Sequence, residues 1–245
     1  MVYGELGRFP LALETKIQAV KYWIKLQYMS DDRFPKLAML RELREEGKVG
    51  SWVGSIKDLL YRAGFGYAWE DVRSISEGSF IRDLRLRLQD MYRQEWAAKC
   101  EGSDRLATYR SFKTEFVREP YLKFLTLPKF RFALARLRVS ANYLNVNRKY
   151  IDPQASTRCP FCTNEESEIH FLLFCPRYND LWKKYIEKHF RKETFRNLAL
   201  RNILNNENRA ITSDVALNTS YAFNRQKLIT IISMSISISF FGLYF

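Results

Sequence analysis

At 245 residues the chain is long enough to bury a real core, as one large domain or two small ones. Its composition, with 47% hydrophobic and 15% aromatic residues, is that of a folded protein and argues against a disordered chain. The unusual property is the formal net charge of +13, which predicts an acidic partner: nucleic acid first, an anionic membrane second.

The first hundred residues predict a series of helices. After an irregular lead-in at 1–10, apolar residues recur every three or four positions, which is the spacing of one helix face. The paired Asp31 and Asp32 lie between two such patterns, so we interpret them as stabilising a helix N-terminus and not as the magnesium-binding aspartates of a polymerase. The predicted helices cover 11–29, 33–46, Ser51 to about Gly64, and 79–99.

The remainder also predicts helices. Polar residues and a glycine at 101–104 indicate a boundary, which gives a helical domain at 1–102 and a second helical region at 103–205. Residues 206–245 are expected to lie outside the fold. No strand pattern precedes residue 206, so the predicted class is all-α, an irregular helical bundle with a small zinc module. The helices predicted here cover 106–116, 129–140, 165–174, 176–189 and 194–205, with breaks at Pro120 and Pro128.

The positive charge is concentrated in two stretches of the sequence. Residues 1–104 are nearly balanced, with 17 basic and 16 acidic residues, whereas 105–150 contain 11 basic and 2 acidic residues. Residues 151–175 have a net charge of −3, and 176–201 have a net charge of +5. Solvated helix faces usually mix the two signs, so this concentration predicts an anion-binding surface.

Eight basic residues are the candidates for contact with nucleic acid. Basic side chains neutralise phosphate, and the aromatic residues interleaved with them could stack on bases. The alternative is that the aromatic residues belong to the core and the cations are only solvated. Taken singly the aromatic residues favour that alternative, whereas the clustered arginines favour binding. The candidates are Lys129, Arg131, Arg136, Arg138, Arg148, Lys149, Arg158 and Arg177.

Three of the four cysteines and one of the two histidines lie within residues 159–175. They are Cys159, Cys162, His170 and Cys175, and the two-residue spacing of the first pair lets one tight turn present both sulfurs. Three thiolates and one imidazole form a complete tetrahedral set for Zn²⁺. Because four such ligands leave no open coordination position, the predicted zinc is structural.

Two alternatives to a metal site remain. The cysteines could be buried free thiols beside a core histidine, since buried thiols are common. A disulfide is weaker, because three cysteines leave one unpaired and the N-terminus does not resemble a signal peptide. We therefore expect an intracellular location, in the nucleus or cytoplasm. Cys100 is interpreted as a half-buried thiol, and His189, outside ligand spacing, as a surface residue.

Three stretches resemble one known family. They are GELGRFPL at 4–11, LARLRVSANYLNVNRKY at 134–150 and RCPFC…EIHFLLFCPRY at 158–178. They are similar to the C-terminal segment of non-LTR (LINE-type) retrotransposon reverse transcriptases, in which a helical stretch after the polymerase thumb leads to a zinc-binding domain. The resemblance covers most of residues 1 to about 200. It implies that Cys159, Cys162, His170 and Cys175 match the family's four ligands, and that the chain binds template RNA or target DNA.

The sequence leaves two hypotheses of function. The first is a non-catalytic, zinc-stabilised nucleic-acid-binding module, because the family's catalytic aspartates and endonuclease have no counterpart in this sequence. The second is a degenerate retroelement fragment whose zinc site only holds the fold together and which has no specific ligand. Neither hypothesis predicts a small-molecule substrate.

The uncharged segment 228–245 supports a third and lesser hypothesis, a membrane tail anchor. Its 18 residues are a borderline length for a membrane-spanning helix. Its serines alternate with apolar residues, and that period of two suits a strand better than a helix. Contact with a membrane is therefore expected through this segment alone.

Overall fold

A computed structural model describes residues 2–44, 50–189, 203–204 and 208–224. Their regular structure is helical, apart from one isolated antiparallel bridge between Arg158 and Glu165, which confirms the all-α prediction. Among these residues, no helix combines the length and apolar character that a membrane crossing requires. The α-helices are α1 (Val2–Leu6), α2 (Leu11–Gln27), α3 (Phe34–Arg44), α4 (Trp52–Ala63), α5 (Gly66–Glu70), α6 (Glu77–Glu101), α7 (Ala107–Phe112), α8 (Tyr121–Phe124), α9 (Pro128–Arg138), α10 (Asn145–Arg148), α11 (Asn179–Tyr185) and α12 (209–224).

The chain divides into two compact units. One comprises Arg8–Ala97 and is called the 8–97 unit below. The other comprises Met1–Gly7 together with Ala98–Phe245, and is called the cysteine unit because it contains all four cysteines. The sequence-based domain boundary between 102 and 103 stays a prediction.

The 8–97 unit is an amphipathic helical assembly with an apolar core. Helices α2, α4 and α6 bury one apolar face each, and the predicted helix α4 has the expected ends. Its N-terminus is capped by Ser51, whose hydroxyl accepts a hydrogen bond from the Gly54 N–H at 2.9 Å. The helix ends at Gly64, which lies in the left-handed region with φ of 84°. The following residue, Phe65, donates its backbone N–H to Leu60 O at 2.8 Å, which caps the last turn. The core residues include Ile17, Val20, Ile24, Val53, Ile56, Leu60, Leu84 and Leu88.

The core of the cysteine unit includes a segment that the sequence analysis had placed outside the fold. Helix α12 buries Val215, Ala216 and Ala222, and the Phe223 ring stacks on Phe171 at a centroid distance of 5.3 Å. The expectation for the tail is therefore wrong at 208–224, where the apolar residues fall on one helix face. The apolar segment 228–245 lies outside the described residues, as does most of the predicted helix 194–205.

A buried ion network crosses the cysteine unit. The wholly buried Arg138 donates from Nε to Glu5 Oε2 at 3.0 Å and from Nη2 to Glu119 Oε2 at 2.7 Å. Its guanidinium carbon lies 4.3 Å from the ring centroid of Phe112 and 5.4 Å from that of Tyr121. The lead-in containing Glu5 is therefore not irregular, because α1 delivers this carboxylate to a buried cation.

A second buried pair ends α7 earlier than predicted. The predicted helix 106–116 is a 3₁₀ turn followed by α7, which stops at Phe112. The next residue, Lys113, has an extended backbone, and its ammonium donates to Val117 O at 2.6 Å and pairs with Glu119. The prediction is wrong at the C-terminal end because this buried lysine turns the chain inward.

Candidate metal centre

Four side chains converge in the cysteine unit. The ligand atoms of Cys159, Cys162, His170 and Cys175 all lie within 4.8 Å of one another. The sulfurs of Cys159 and Cys175 are 3.8 Å apart, and Cys162 Sγ is 3.2 Å from His170 Nε2. Metal–sulfur bonds of about 2.3 Å in a tetrahedral site place two sulfurs about 3.8 Å apart, whereas a disulfide bond is about 2.05 Å long. The prediction that these residues lie close enough to hold one metal ion is confirmed.

A short hairpin presents Cys159 and Cys162. The Cys159 N–H donates to Asn164 O at 2.8 Å, and the Glu166 N–H donates to Thr157 O at 2.9 Å. These two bonds close the chain on either side of the Cys-Pro-Phe-Cys turn. Both cysteines therefore belong to one small structure, here called the metal hairpin (157–166).

A single π-helical turn, His170–Phe174, presents the other two ligands. The Cys175 N–H donates to His170 O at 2.8 Å, so residues five apart are brought together. The wider turn also changes which side chains face inward. In the predicted helix 165–174 the apolar spacing predicts that Ile169, Leu172 and Leu173 point inward. That prediction is wrong at Ile169, which is 43% exposed, whereas Phe171 and Leu172 are buried.

Burial favours the neutral form of three of the four ligands in the absence of a cation. It raises the pKa of the Cys159 thiol, raises the pKa of Cys175 to about 12, and lowers the pKa of His170. Backbone N–H groups act in the opposite direction: those of Phe161 and Cys162 donate to the Cys159 sulfur, and that of Arg177 donates to the Cys175 sulfur. These N–H donors stabilise the thiolate forms of Cys159 and Cys175. A bound dication would stabilise the thiolates further and displace the thiol protons.

Asparagine side chains attach the segment 142–149 to the metal hairpin. The Asn145 N–H donates to Glu166 Oε2 at 2.8 Å, and the Asn145 side-chain amide donates to Arg158 O at 2.7 Å. Glu166 is buried, and its desolvation raises the pKa of its carboxyl group. The start of α10 is therefore fixed by a carboxylate from the hairpin itself.

A second set of buried amides continues this attachment. The Asn147 Nδ2 group donates to Asn142 Oδ1 at 2.7 Å and to Glu168 Oε1 at 3.1 Å. Asn142 Nδ2 also donates to Glu168 Oε1, at 3.3 Å. All three residues are buried. The conformation of 142–149 thus depends on the chain that leads from the metal hairpin to His170.

Burial of charged side chains affects the surface charge of the two stretches differently. In 105–150 the buried Glu119 pairs with two buried cations, Lys113 and Arg138, so burial makes this stretch no more positive at the surface. In the stretch 151–175, whose net charge is −3, Glu166 and Glu168 are buried as well. The acidic stretch between the two basic ones is therefore much less negative at the surface than its sequence suggests.

Five of the eight basic candidates are exposed and Arg136 is half-buried, and several of these six lie beside aromatic rings. The guanidinium of Arg136 is 4.4 Å from the ring centroid of Tyr143, which is itself 53% exposed. The ammonium of Lys149 is 5.2 Å from the ring centroid of Tyr150. The six are Lys129, Arg136, Arg148, Lys149, Arg158 and Arg177.

Two candidates point elsewhere. Arg131 is half-buried, and its guanidinium donates to the carbonyl oxygens of Leu125 and Thr126 at the end of α8. Arg138 is wholly buried in the ion network, so its assignment to a nucleic-acid surface is wrong. Its position four residues after the buried Leu134 places it on the apolar face of α9, and this spacing was the available signal.

Cys100 and His189 differ from their predictions. Cys100 is buried rather than half-buried, at 4% exposure, and burial raises the pKa of its thiol. His189 is not a surface residue: its Nε2 lies 2.6 Å from Asp214 Oδ2, on α12. Neither belongs to the four-residue cluster.

Comparison with protein-family models, with curated proteins and with solved structures finds no match for this chain.

Proposed function

We propose that this chain is a non-catalytic nucleic-acid-binding module that is stabilised by structural zinc and contacts the phosphate backbone through the cysteine unit. The observation that carries the proposal is the attachment of the segment 142–149 to the metal hairpin. That segment holds the exposed Arg148 and Lys149, and it is bounded by the exposed rings of Tyr143 and Tyr150. The resemblance to retrotransposon reverse transcriptases and the net charge of +13 support the same proposal.

Zinc suits the donor set because thiolate and imidazole ligands in tetrahedral geometry are those it prefers. Cys159, Cys162, His170 and Cys175 would hold it. With all four positions taken by protein, the ion would join the metal hairpin to the π turn and would not activate water. Its contribution to binding would be indirect, because the hairpin in turn positions 142–149.

The binding chemistry follows from the exposed side chains. Lysine and arginine neutralise phosphates and release condensed counterions, so affinity should fall steeply with salt. Exposed tyrosines can stack on unpaired bases. Rings beside cations combine both contributions, as at Arg136 with Tyr143 and Lys149 with Tyr150.

The direct test compares two triple variants of the full chain. Binding to a labelled single-stranded RNA is measured by fluorescence anisotropy at several salt concentrations. Three lost contacts in Arg136→Ala/Arg148→Ala/Lys149→Ala should reduce the slope of log affinity against log salt by about 2. The control, Lys16→Ala/Arg73→Ala/Arg82→Ala, removes the same charge from exposed positions of the 8–97 unit and should leave the slope nearly unchanged. Equal slopes in the two variants would contradict the proposal.

The competing hypothesis of a fragment without a specific ligand makes a different prediction. It expects charge-driven binding that is equal for nucleic acid and for heparin of matched charge. The present proposal expects heparin to bind less tightly, because it offers no bases to Tyr143 and Tyr150. A Cys162→Ser variant should lose both zinc and RNA binding, whereas Cys100→Ala should retain them.

A further inference from the structure

A groove of about 730 Å³ lies in the 8–97 unit, outside the region considered above. One wall is a single face of α2, on which Lys21 and Lys25 are separated by one helical turn. The loop after α2 completes the groove with Tyr28 and Arg33. The sequence analysis assigned no function to this face, because the charges of residues 1–104 nearly balance.

Cations outnumber carboxylates in the lining of the groove, and the exposed Asp31 and Asp32 lie in the adjoining loop. Lys21, Lys25 and Arg33 line the groove, and Glu77 is the single carboxylate among the described residues that do. No ion pair within the described chain involves any of these three cations. The nearby carboxylate of Glu14 instead forms a two-bond pair with Arg85. Like charges one turn apart repel each other, so a ligand that carries negative charge would relieve this repulsion.

Two tyrosine rings in the groove present exposed faces on which bases could stack. Tyr22 is 45% exposed, and its ring lies 5.8 Å from that of Trp52. Tyr28 is 63% exposed, and its hydroxyl donates to Val72 O at 3.3 Å. Each ring therefore has a neighbour that holds it, while much of its surface stays open to a ligand. Fixed aromatic faces beside cations are the combination used to bind single-stranded nucleic acid without regard to sequence.

We propose that this groove is a second binding site for single-stranded nucleic acid, with phosphates on Lys21, Lys25 and Arg33 and a base stacked on Tyr22 or Tyr28. The groove volume is within the range of small-ligand sites. This site is separate from the surface proposed above, because all of its residues belong to the 8–97 unit.

The test uses the full zinc-loaded chain and a labelled twelve-nucleotide oligo-dT. The Lys21→Ala/Lys25→Ala variant should lower the salt slope of affinity by about 1.4, at about 0.7 per lost contact. The control, Arg73→Ala/Arg82→Ala, removes equal charge from exposed positions outside the groove and should lower it by much less. A control effect as large as that of the groove variant, or no effect of either, overturns the proposal. Unchanged circular dichroism establishes that each variant is folded.

A second variant tests the base contact. Tyr22→Leu/Tyr28→Leu should weaken oligo-dT binding about fivefold or more, because stacking is lost, and should leave inorganic polyphosphate binding unchanged. Equal losses for both ligands would reduce the groove to a general anion site and overturn the assignment to nucleic acid. Photocross-linking with bromodeoxyuridine separates the two sites: adducts at Tyr22 or Tyr28 must persist in the Arg136→Ala/Arg148→Ala/Lys149→Ala chain. Loss of these adducts in the triple variant would overturn the proposal of a separate site. If only the proposed surface in the cysteine unit is wrong, the adducts at Tyr22 or Tyr28 would remain.

Discussion

The two units of the molecule are stabilised by different interactions. In the 8–97 unit the described core is built from apolar side chains on amphipathic helices, and Lys36 is its one buried charged residue among those described. The described part of the cysteine unit buries several charges and amides and, in addition, three of the four ligands of the candidate metal centre, with Cys162 half-buried. The buried charged and amide residues include Glu5, Lys113, Glu119, Arg138, Asn142, Asn147, Glu166 and Glu168.

This difference determines how each unit should respond to change. Apolar cores tolerate small substitutions of similar volume, because most of their stabilisation is non-directional. Buried polar networks are less tolerant, because removing one partner leaves another buried group unsatisfied. The cysteine unit should therefore contain the most sensitive polar positions of the chain.

The largest effect is expected at Arg138. Its replacement by alanine leaves Glu5 and Glu119 buried beside one remaining cation, and breaking a buried ion pair in this way costs about 3–5 kcal/mol. Urea unfolding, with hydrogen exchange to assign the transition to the cysteine unit, would measure the cost. Exposed Arg148 is the control, and its replacement by alanine should change the free energy of unfolding by less than about 0.5 kcal/mol. Equal effects at the two positions would show that the network does not stabilise the unit.

A smaller loss is expected at Asn147. An alanine there removes the hydrogen bonds to Asn142 Oδ1 and Glu168 Oε1, although each oxygen keeps one other donor, so we expect a cost of about 1–3 kcal/mol for two lost buried hydrogen bonds, one of them to a carboxylate. The same unfolding measurement applies, with the exposed Gln154→Ala as the control. A cost below that of the control would mean that water replaces the lost amide without penalty.

A glycine, Gly64, marks the end of α4 in the sequence, whereas the end of α9 at Ser140 has no such signal. Both α4 and α9 close with the same pair of backbone bonds, but α9 uses a serine at φ of 51°. Ser140→Gly should stabilise the unit by about 0.5 kcal/mol, because relief of about 1 kcal/mol of strain exceeds the added entropy of the unfolded chain. Thermal unfolding is sufficient to test this. The control is Ser140→Ala, which keeps the strained backbone and should not stabilise the cysteine unit.

The smallest effect at neutral pH is expected at the exposed pair in the 8–97 unit. Hydrogen bonds from Arg85 hold the pKa of Glu14 at about 2, but both side chains are more than a third exposed and solvent screens them. A lowered pKa contributes stability that is complete above the unfolded value of 4.5 and is lost as pH falls towards 2. Glu14→Gln should therefore lower stability at pH 7 by only a small amount, and flatten its decline between pH 4.5 and 2 by that same amount. An unaltered acid decline would contradict the role of this pair.

The sequence was informative where folding follows periodicity. The helices of the 8–97 unit, the Ser51 cap and the convergence of the four metal ligands could be predicted, because apolar spacing and ligand spacing are local properties. Lys113 and Glu5 could not be recognised as buried, because a charged residue shows no local sign that a distant partner will neutralise it. For Arg138 the one local signal was its position on the apolar face of α9. The orientation of Ile169 was missed for a different reason, since a π turn shifts the helix face by one residue.

Hydrogen exchange with and without zinc tests the central claim most directly. Mass spectrometry of the full chain would compare peptides from 105–178 with peptides from 8–97, before and after chelation. The account predicts that chelation raises exchange in the metal hairpin, in 142–149 and in the π turn, and leaves α2 and α4 unchanged. Unchanged protection throughout 105–178 would contradict it, and would identify Cys159, Cys162, His170 and Cys175 as ordinary core residues.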